Sequence, residues 1–162
     1  MFAAAFIGAV AFFASAYLLG PKRLHPFQIA FAWVFVVFVD EIFFTLMLVN
    51  WKLFDVSERI SDVFVRLVNL DVVTPIVLLV GLEASVRVSR LWVRTVIGIA
   101  TAAVLIVIDV FLIRSDVIRT EGGFRWMMLY AEEAFLVVCS YIGLFLMSVF
   151  MRKDGIGYDP FY

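Results

Sequence analysis

Residues 91–113 read LWVRTVIGIATAAVLIVIDVFLI, an apolar stretch whose charged side chains are Arg94 and Asp109. A membrane-spanning helix needs about 20 mostly apolar residues to cross roughly 30 Å of hydrocarbon. Similar stretches fill most of the chain, which is 65% hydrophobic and has a mean hydropathy of +1.07. Soluble domains are closer to half apolar. The sequence therefore predicts an integral membrane protein with an all-α fold.

Helix-breaking and charged residues divide the chain into five apolar segments. Gly20 and Pro21 end the first segment, for example, and the basic residues Lys22 and Arg23 follow them directly. The predicted spans cover residues 2–19, 27–49, 70–86, 91–113 and 126–151. They predict a single transmembrane domain, built as a bundle of five helices with short loops and an irregular tail over residues 152–162.

Residues 55–69 have a different pattern, because apolar and polar side chains alternate with helical spacing. The apolar positions are Val56, Ile60, Val63, Phe64, Leu67 and Val68. The opposite face is polar and ends with Arg66. This pattern predicts an amphipathic helix that lies along the membrane surface.

The third predicted span, residues 70–86, is shorter than a regular span unless it recruits residues 65–68 or tilts within the bundle. Pro75 lies inside it and lacks a backbone N–H, so the helix is expected to kink there. Thr74 is available to satisfy the backbone groups that the proline frees. Near the other end of this span, Glu83 precedes Arg87 by four residues, which predicts an i,i+4 ion pair.

The positive charges give the orientation. Lys22, Arg23, Arg87 and Arg90 stand beside span ends with few acids near them, whereas the basic residues on the other side are mixed with acids. Positive charge next to span ends is typical of the cytoplasmic side. We therefore expect the N-terminus outside the cell, the C-terminus in the cytoplasm, and a location in the cell membrane.

Composition excludes several functions. The 13 Lys and Arg and 14 Asp and Glu give a net charge of −1 without a basic run, so nucleic acid is not an expected partner. Cys139 is the single cysteine and His25 the single histidine, and His25 is expected to be a solvent-exposed loop residue. Haem, zinc and copper sites need more of these ligands. We expect no cofactor, no metal site and no intrachain disulfide.

Five acidic side chains fall inside the predicted spans. They are Asp40, Glu41, Asp109, Glu132 and Glu133. An acid at the middle of a membrane helix costs about 2.5 to 3.5 kcal/mol on insertion scales unless it is protonated, paired or hydrated. At a rise of about 1.5 Å per residue, all five lie in the same, outer half of the bilayer. The sequence therefore predicts that acids from three helices line one cavity.

This cavity has two functional interpretations and one structural one. Ionised acids grouped around water would bind a hard cation through oxygen, whereas crowded carboxyl groups would carry protons. In the structural interpretation the acids pair with arginines and hold the helices together. The candidate partners are Arg66, Arg114, Arg119 and Arg125.

The sequence contains no motif typical of an enzyme. A Gly-rich phosphate loop, a G-x-S-x-G elbow and an H-E-x-x-H pair are all absent. An aspartyl enzyme would need Asp40 and Asp109 to converge on a substrate bond, and their surroundings match no catalytic motif. We predict a non-enzymatic structural or interaction subunit that contacts lipid and other membrane proteins or its own copies. The alternative is a proton- or cation-handling transporter or channel component.

The order of these parts resembles a family of small five-span membrane proteins from spore-forming bacteria. The resemblance rests on Val39-Asp40-Glu41-Ile42, on Phe64-Val65-Arg66 leading to Thr74-Pro75-Ile76, on Ile108-Asp109-Val110-Phe111 and on Gly123-Phe124-Arg125-Trp126. It covers about three quarters of the chain and is one of layout. The resemblance implies a bacterial inner-membrane protein with five spans. Because that family has no assigned activity, it implies no catalytic residue and no ligand.

Overall fold

The computed structural model describes residues 2–46, 54–56, 59–120 and 125–154. This part of the chain is a helical bundle, as predicted. Its helices are α1 (Phe2–Leu19), α2 (Pro26–Thr45), α3 (Ile60–Val86), α4 (Leu91–Arg114) and α5 (Arg125–Lys153). Two short strands, β1 (Phe54–Val56) and β2 (Ile118–Thr120), pair antiparallel with Asp55 opposite Arg119. Parts of three predicted elements lie outside the described ranges. They are residues 47–49 of the second span, residues 57–58 of the interfacial helix and residues 155–162 of the tail.

Within those ranges, four helices are long and apolar enough to cross a membrane, namely α2, α3, α4 and α5. Helix α1 is equally apolar but shorter. The chain is therefore compatible with a multi-pass membrane protein. Helix α2 packs on α5 and on the second half of α3, and α4 packs on both α3 and α5.

The outer surface of the bundle is apolar, unlike that of a soluble protein. Large apolar side chains such as Phe38, Val107 and Phe145 are more than half exposed on the outer surface. The interior instead holds many polar side chains, including Gln28 and Ser148, whose amide and hydroxyl groups are joined by a hydrogen bond of 3.1 Å. Apolar groups on the outside and satisfied polar groups inside are what a lipid solvent favours.

Helix α3 differs from the sequence prediction of a surface helix followed by a separate span. The chain is helical without interruption from Ile60 to Val86. The apolar face of its first part is exposed, with Ile60 88% and Phe64 52% accessible, whereas Arg66 on the polar face is buried. The prediction assumed water around the polar face. In the bundle the Arg66 end of that face is turned inward, whereas Ser61 near the start of the helix stays exposed, and the apolar positions Phe64 and Leu67 point outward.

The middle of α3 opens into a π-helical turn at Asn69–Val73, directly before Pro75. In a regular α-helix the amide of residue 75 would donate to the carbonyl of Asp71, and proline has no N–H to donate. The structure satisfies that carbonyl from outside the helix: Trp33 Nε1 of α2 donates to the oxygen of Asp71 at 3.1 Å. The distortion that the sequence predicts at Pro75 is therefore fixed by a contact between two helices.

The connection between α1 and α2 is held by a buried acid. The carboxylate of Glu83 accepts the backbone N–H of Arg23 at 2.8 Å and that of Leu24 at 3.2 Å. Arg87, the predicted ion-pair partner of Glu83, instead donates to the carbonyl of Pro21 at 3.5 Å. The Glu83 carboxylate accepts these two backbone N–H groups instead of pairing with Arg87, because two charge-assisted hydrogen bonds stabilise a carboxylate more than one exposed ion pair would.

His25 is the N-cap of α2 rather than a freely exposed loop residue. Its Nδ1 accepts the N–H of Phe27 at 3.3 Å, and its own N–H donates to Gln28 Oε1 at 2.9 Å. The two contacts form a capping box that starts the helix at Pro26. The sequence around His25 contained this signal, since Pro at the first helical position and Gln three residues after the cap are typical of a helix start.

Candidate functional site

Four of the five predicted acids lie in the interior of the bundle. Asp40 of α2, Asp109 of α4, and Glu132 and Glu133 of α5 are at most 6% exposed. The four carboxyl groups interact electrostatically with one another, so the structure brings them into one cluster. Glu132 and Glu133 are consecutive, about 100° apart on the helix, and both of their side chains are buried in the bundle.

The positive charge of the cluster comes from Arg66 of α3. Its Nη1 lies 3.7 Å from Asp109 Oδ1, and both side chains are about nine-tenths buried. The guanidinium also stacks over the ring of Phe44, 4.2 Å from the ring centroid. It interacts electrostatically with Asp40 and Glu132 as well. Arg66 reaches this position because α3 turns this end of its polar face inward.

Asn69 adds a neutral polar group, one turn along α3 from Arg66. Its Nδ2 lies 3.5 Å from Asp109 Oδ1, the oxygen that also faces Arg66. Asn69 is the first residue of the π-helical turn, so the distortion of α3 lies next to the acids. Sequence reasoning did not single out Asn69. The signal was an amide side chain at the junction of two apolar helical segments.

Asp109 of α4 and Glu133 of α5 are neighbours in this cluster, and their carboxyl groups interact electrostatically. An ionised carboxylate only accepts hydrogen bonds, so a hydrogen bond between two carboxyl groups requires a proton on one of them. A proton bound between these two acids would therefore be shared by α4 and α5. The net charge of the cluster would change whenever one of these acids gained or lost a proton.

The charges of the cluster do not balance. Within the described part of the bundle, which leaves out the side chains of Arg119 and Arg125, four carboxyl groups face one guanidinium, and a buried ion is expensive unless it is paired and hydrogen-bonded. Among the side chains that the structure describes, Arg66 Nε, Asn69 Oδ1 and Glu133 Oε2 are buried without a hydrogen-bond partner. The site therefore has both an excess of acid and unused polar atoms.

A small cavity adjoins these groups. It holds about 10 Å³, close to the minimum for one water molecule. Arg66, Asp109 and Glu132 line its polar side, and Ile118 of β2 with Leu129 lines its apolar side. A water molecule there would have the two to four polar partners that a buried water needs.

The remaining predicted site residues lie outside this cluster or have side chains that the structure does not describe. Glu41 is half-buried, next to Asp40 on α2. Arg114 is exposed at the end of α4. The side chains of Arg119 and Arg125 are not among those described. Of the four arginines proposed as partners, Arg66 is the one that the structure places beside the acids.

Within the described residues, no three Asp, Glu, His or Cys side chains converge in the way a metal ion requires. The cluster contacts are between carboxyl, guanidinium and amide groups. The chemistry that this arrangement can perform is the exchange of protons and of hydrogen-bond partners within a low-dielectric interior.

Comparisons with models of protein families, with curated proteins and with solved structures found no match to the chain. The resemblance to the five-span family of spore-forming bacteria stays a prediction.

Proposed function

We propose that this chain is a proton-handling component of a membrane transporter or channel, in which Asp40, Asp109, Glu132 and Glu133 bind and release protons. The observation that carries the proposal is the burial of four acids from three helices around Arg66, the one arginine beside them among the described side chains. Intramembrane acids that face a bundle interior are typical of proton pathways. A purely structural ion pair would need one acid for one arginine.

In this proposal Arg66 is the group that responds to the protons. It lies against Asp109 and also interacts with Asp40 and Glu132. Loss of a proton from one of these acids attracts the guanidinium, and gain of a proton releases it. Arg66 and Asn69 belong to the part of α3 that borders the π-helical turn. Such turns recur at functional sites, and here a change of partner would shift α3 against α4.

We further propose that α1 is a fifth span and that the protein lies in a bacterial inner membrane with its N-terminus outside. Helix α1 runs along the bundle for its full length. Ala3 packs near Val65 and Leu112 at one end, and Ala14 packs near the Ile76 and Leu79 cluster at the other. Its 18 residues correspond to about 27 Å of helix, close to the thickness of the hydrocarbon.

The test is proton flux into vesicles that contain the purified chain and a trapped pH-sensitive dye, driven by a potassium diffusion potential. We expect the wild-type chain to admit protons faster than protein-free vesicles. E133Q and D40N should reduce flux to the protein-free level, because an amide cannot exchange a proton at these positions. E83Q is the matched control, because Glu83 is an equally buried acid at the opposite end of the bundle. Flux that persists in both E133Q and D40N would overturn the proposal.

A structural or interaction subunit is the second candidate. The Arg66–Asp109 ion pair, the Asn69 contact and the stacking of Arg66 on Phe44 join α2, α3 and α4. Interhelical polar contacts of this kind are worth on the order of 1 kcal/mol in membranes. If wild-type vesicles admit no protons and D40N and E133Q fail to fold, this second function replaces the first.

A further inference from the structure

An apolar groove on the surface of the bundle is separate from the acid cluster. It lies between α1, α3 and α4 and encloses about 670 Å³. Its walls include Val10 and Phe13 of α1, Val80 of α3 and Val104 of α4. Among the residues that line it, Ala84 of α3 and Ala100 of α4 have small side chains that leave the groove wide.

The length of the groove corresponds to one leaflet of a bilayer. On α3 it extends from Val73, at the π-helical turn, to Ala84, near the end of the helix. At about 1.5 Å per residue this is about 16 Å, half of the roughly 30 Å of hydrocarbon. An acyl chain that enters from the end near Ala84 would therefore stop near the middle of the membrane.

The open end of the groove is basic. Tyr17 lines the groove, and Lys22 Nζ lies 3.0 Å from the centroid of its ring while donating to its carbonyl. Arg87, three residues beyond Ala84, donates to the carbonyl of Pro21 in the same loop. Burial is the main cause of a lowered pKa at Lys22; Glu83 opposes this effect and Arg87 adds to it. Two cations are thus held together at the level where a phosphate group would lie.

Tyr17 and Thr101 line the groove with their apolar parts. Tyr17 is 8% exposed, and its hydroxyl is buried beneath the wall of the groove. Thr101 uses its hydroxyl on the carbonyl of Ile97 at 2.9 Å. The surface that the groove offers below the cations is therefore apolar, as an acyl chain requires.

From this geometry we infer that the groove binds one anionic phospholipid, with an acyl chain along α1, α3 and α4 and the phosphate at Lys22 and Arg87. The charge complementarity selects this occupant. Glu83 is an acid that acts on Lys22, but its carboxylate already accepts the N–H groups of Arg23 and Leu24, so a neutral partner helix would add no anion for the two cations. The site lies on the side that the positive charges identify as cytoplasmic, where anionic lipids attract basic residues.

The experiment is native mass spectrometry of the whole chain, released from nanodiscs made of phosphatidylcholine and phosphatidylglycerol in equal parts. We expect one phosphatidylglycerol to stay bound per chain. K22Q and R87Q should each weaken retention about fivefold, which corresponds to about 1 kcal/mol for a basic residue at a membrane surface. R114Q removes an exposed arginine at the other end of the bundle and should leave retention unchanged.

A second pair of variants tests the groove rather than the charges. A100F fills it from an exposed position and should reduce retention, whereas A103F places the same ring on an exposed position of α4 outside the groove. Equal retention of phosphatidylcholine would overturn the inference. The inference would also be overturned if A100F left lipid retention intact. A dimer of the chain that occupies the groove in place of lipid, and that A100F dissociates, would overturn it as well.

Discussion

Arg66 Nη1 lies 3.7 Å from Asp109 Oδ1 in the interior of the bundle, and this ion pair connects α3 with α4. Removing one member leaves the other as a buried charge without its partner, which is more costly than removing both. We expect R66M to lower the free energy of unfolding by about 3 kcal/mol. The double variant R66M/D109N should lose less than R66M alone. Reversible unfolding in mixed micelles measures both.

The matched control for this prediction is R114M, because Arg114 is exposed at the end of the same helix as Asp109. An exposed substitution of this kind stays within about 0.5 kcal/mol of wild type. A double variant that is less stable than R66M would contradict the account of the pair, since it would mean that Asp109 stabilises the bundle through other groups.

The close approach of α3 and α4 depends on Gly81. A Cβ atom at this position would fall well inside the contact distance of the Thr101 hydroxyl and methyl groups. Packed helices respond to such an excess atom by shifting, at a cost of about 1 to 3 kcal/mol. We expect G81A to be destabilised by this amount in thermal unfolding, and T101A to restore most of it in the double variant.

Gly8 provides the control for Gly81, because a Cβ atom there meets no other atom within 4 Å. Alanine in a helix interior is favoured over glycine by about 1 kcal/mol. G8A should therefore be neutral or more stable than wild type. Equal losses in G8A and G81A would show that both effects come from the helix itself and not from the contact with Thr101.

The hydrogen bond from Trp33 to the carbonyl of Asp71 should depend on Pro75. With proline present, W33F leaves that carbonyl without its side-chain donor, and we expect a loss of about 1 kcal/mol. In the P75A background the restored amide can serve the carbonyl, so W33F should cost little. The measurement is a double-mutant cycle in unfolding free energy. Additive effects would mean that the indole does not replace the missing amide.

The orientation of the bundle can be tested at two exposed turns. In a C139S background, a cysteine replaces either Asp116, after α4, or Ser89, before it. Asp116 has a positive φ of 56°, which a cysteine adopts less easily than an aspartate does. S115C therefore serves as a second variant on that side. We expect a membrane-impermeant maleimide to label intact cells at 116 or 115 and not at 89. The reverse pattern would invert the proposed orientation.

The sequence predicts the end of a helix correctly where a helix-breaking residue lies at that end. Helix α1 ends at Leu19, directly before Gly20 and Pro21. Helix α4 begins at Leu91, after a turn rich in arginine and serine. Local chemistry decides these positions, because glycine and proline change the backbone itself.

The placement of Arg66 could not be read in the same way. An amphipathic pattern says that a helix has two faces, but it does not say which solvent surrounds the helix. Beside water the polar face turns outward, and beside lipid it turns inward. The acids Asp40 and Asp109 signalled a polar interior, and Arg66 was the cation that this interior required. Glu83 was misread for a related reason, because its partners are backbone N–H groups of a loop that has no sequence signature.

The proton that we propose for the pair Asp109 and Glu133 is tested most directly by infrared spectroscopy of the reconstituted protein. A protonated carboxyl group has a carbonyl stretch that an ionised one lacks, and isotope labelling of aspartate or glutamate separates the two residues. We predict a protonated-carboxyl band at neutral pH that exchanges with deuterium and changes in both D109N and E133Q, but not in E83Q. A spectrum without that band, or a band unaffected by D109N and E133Q, would contradict the proposal that this cluster holds protons.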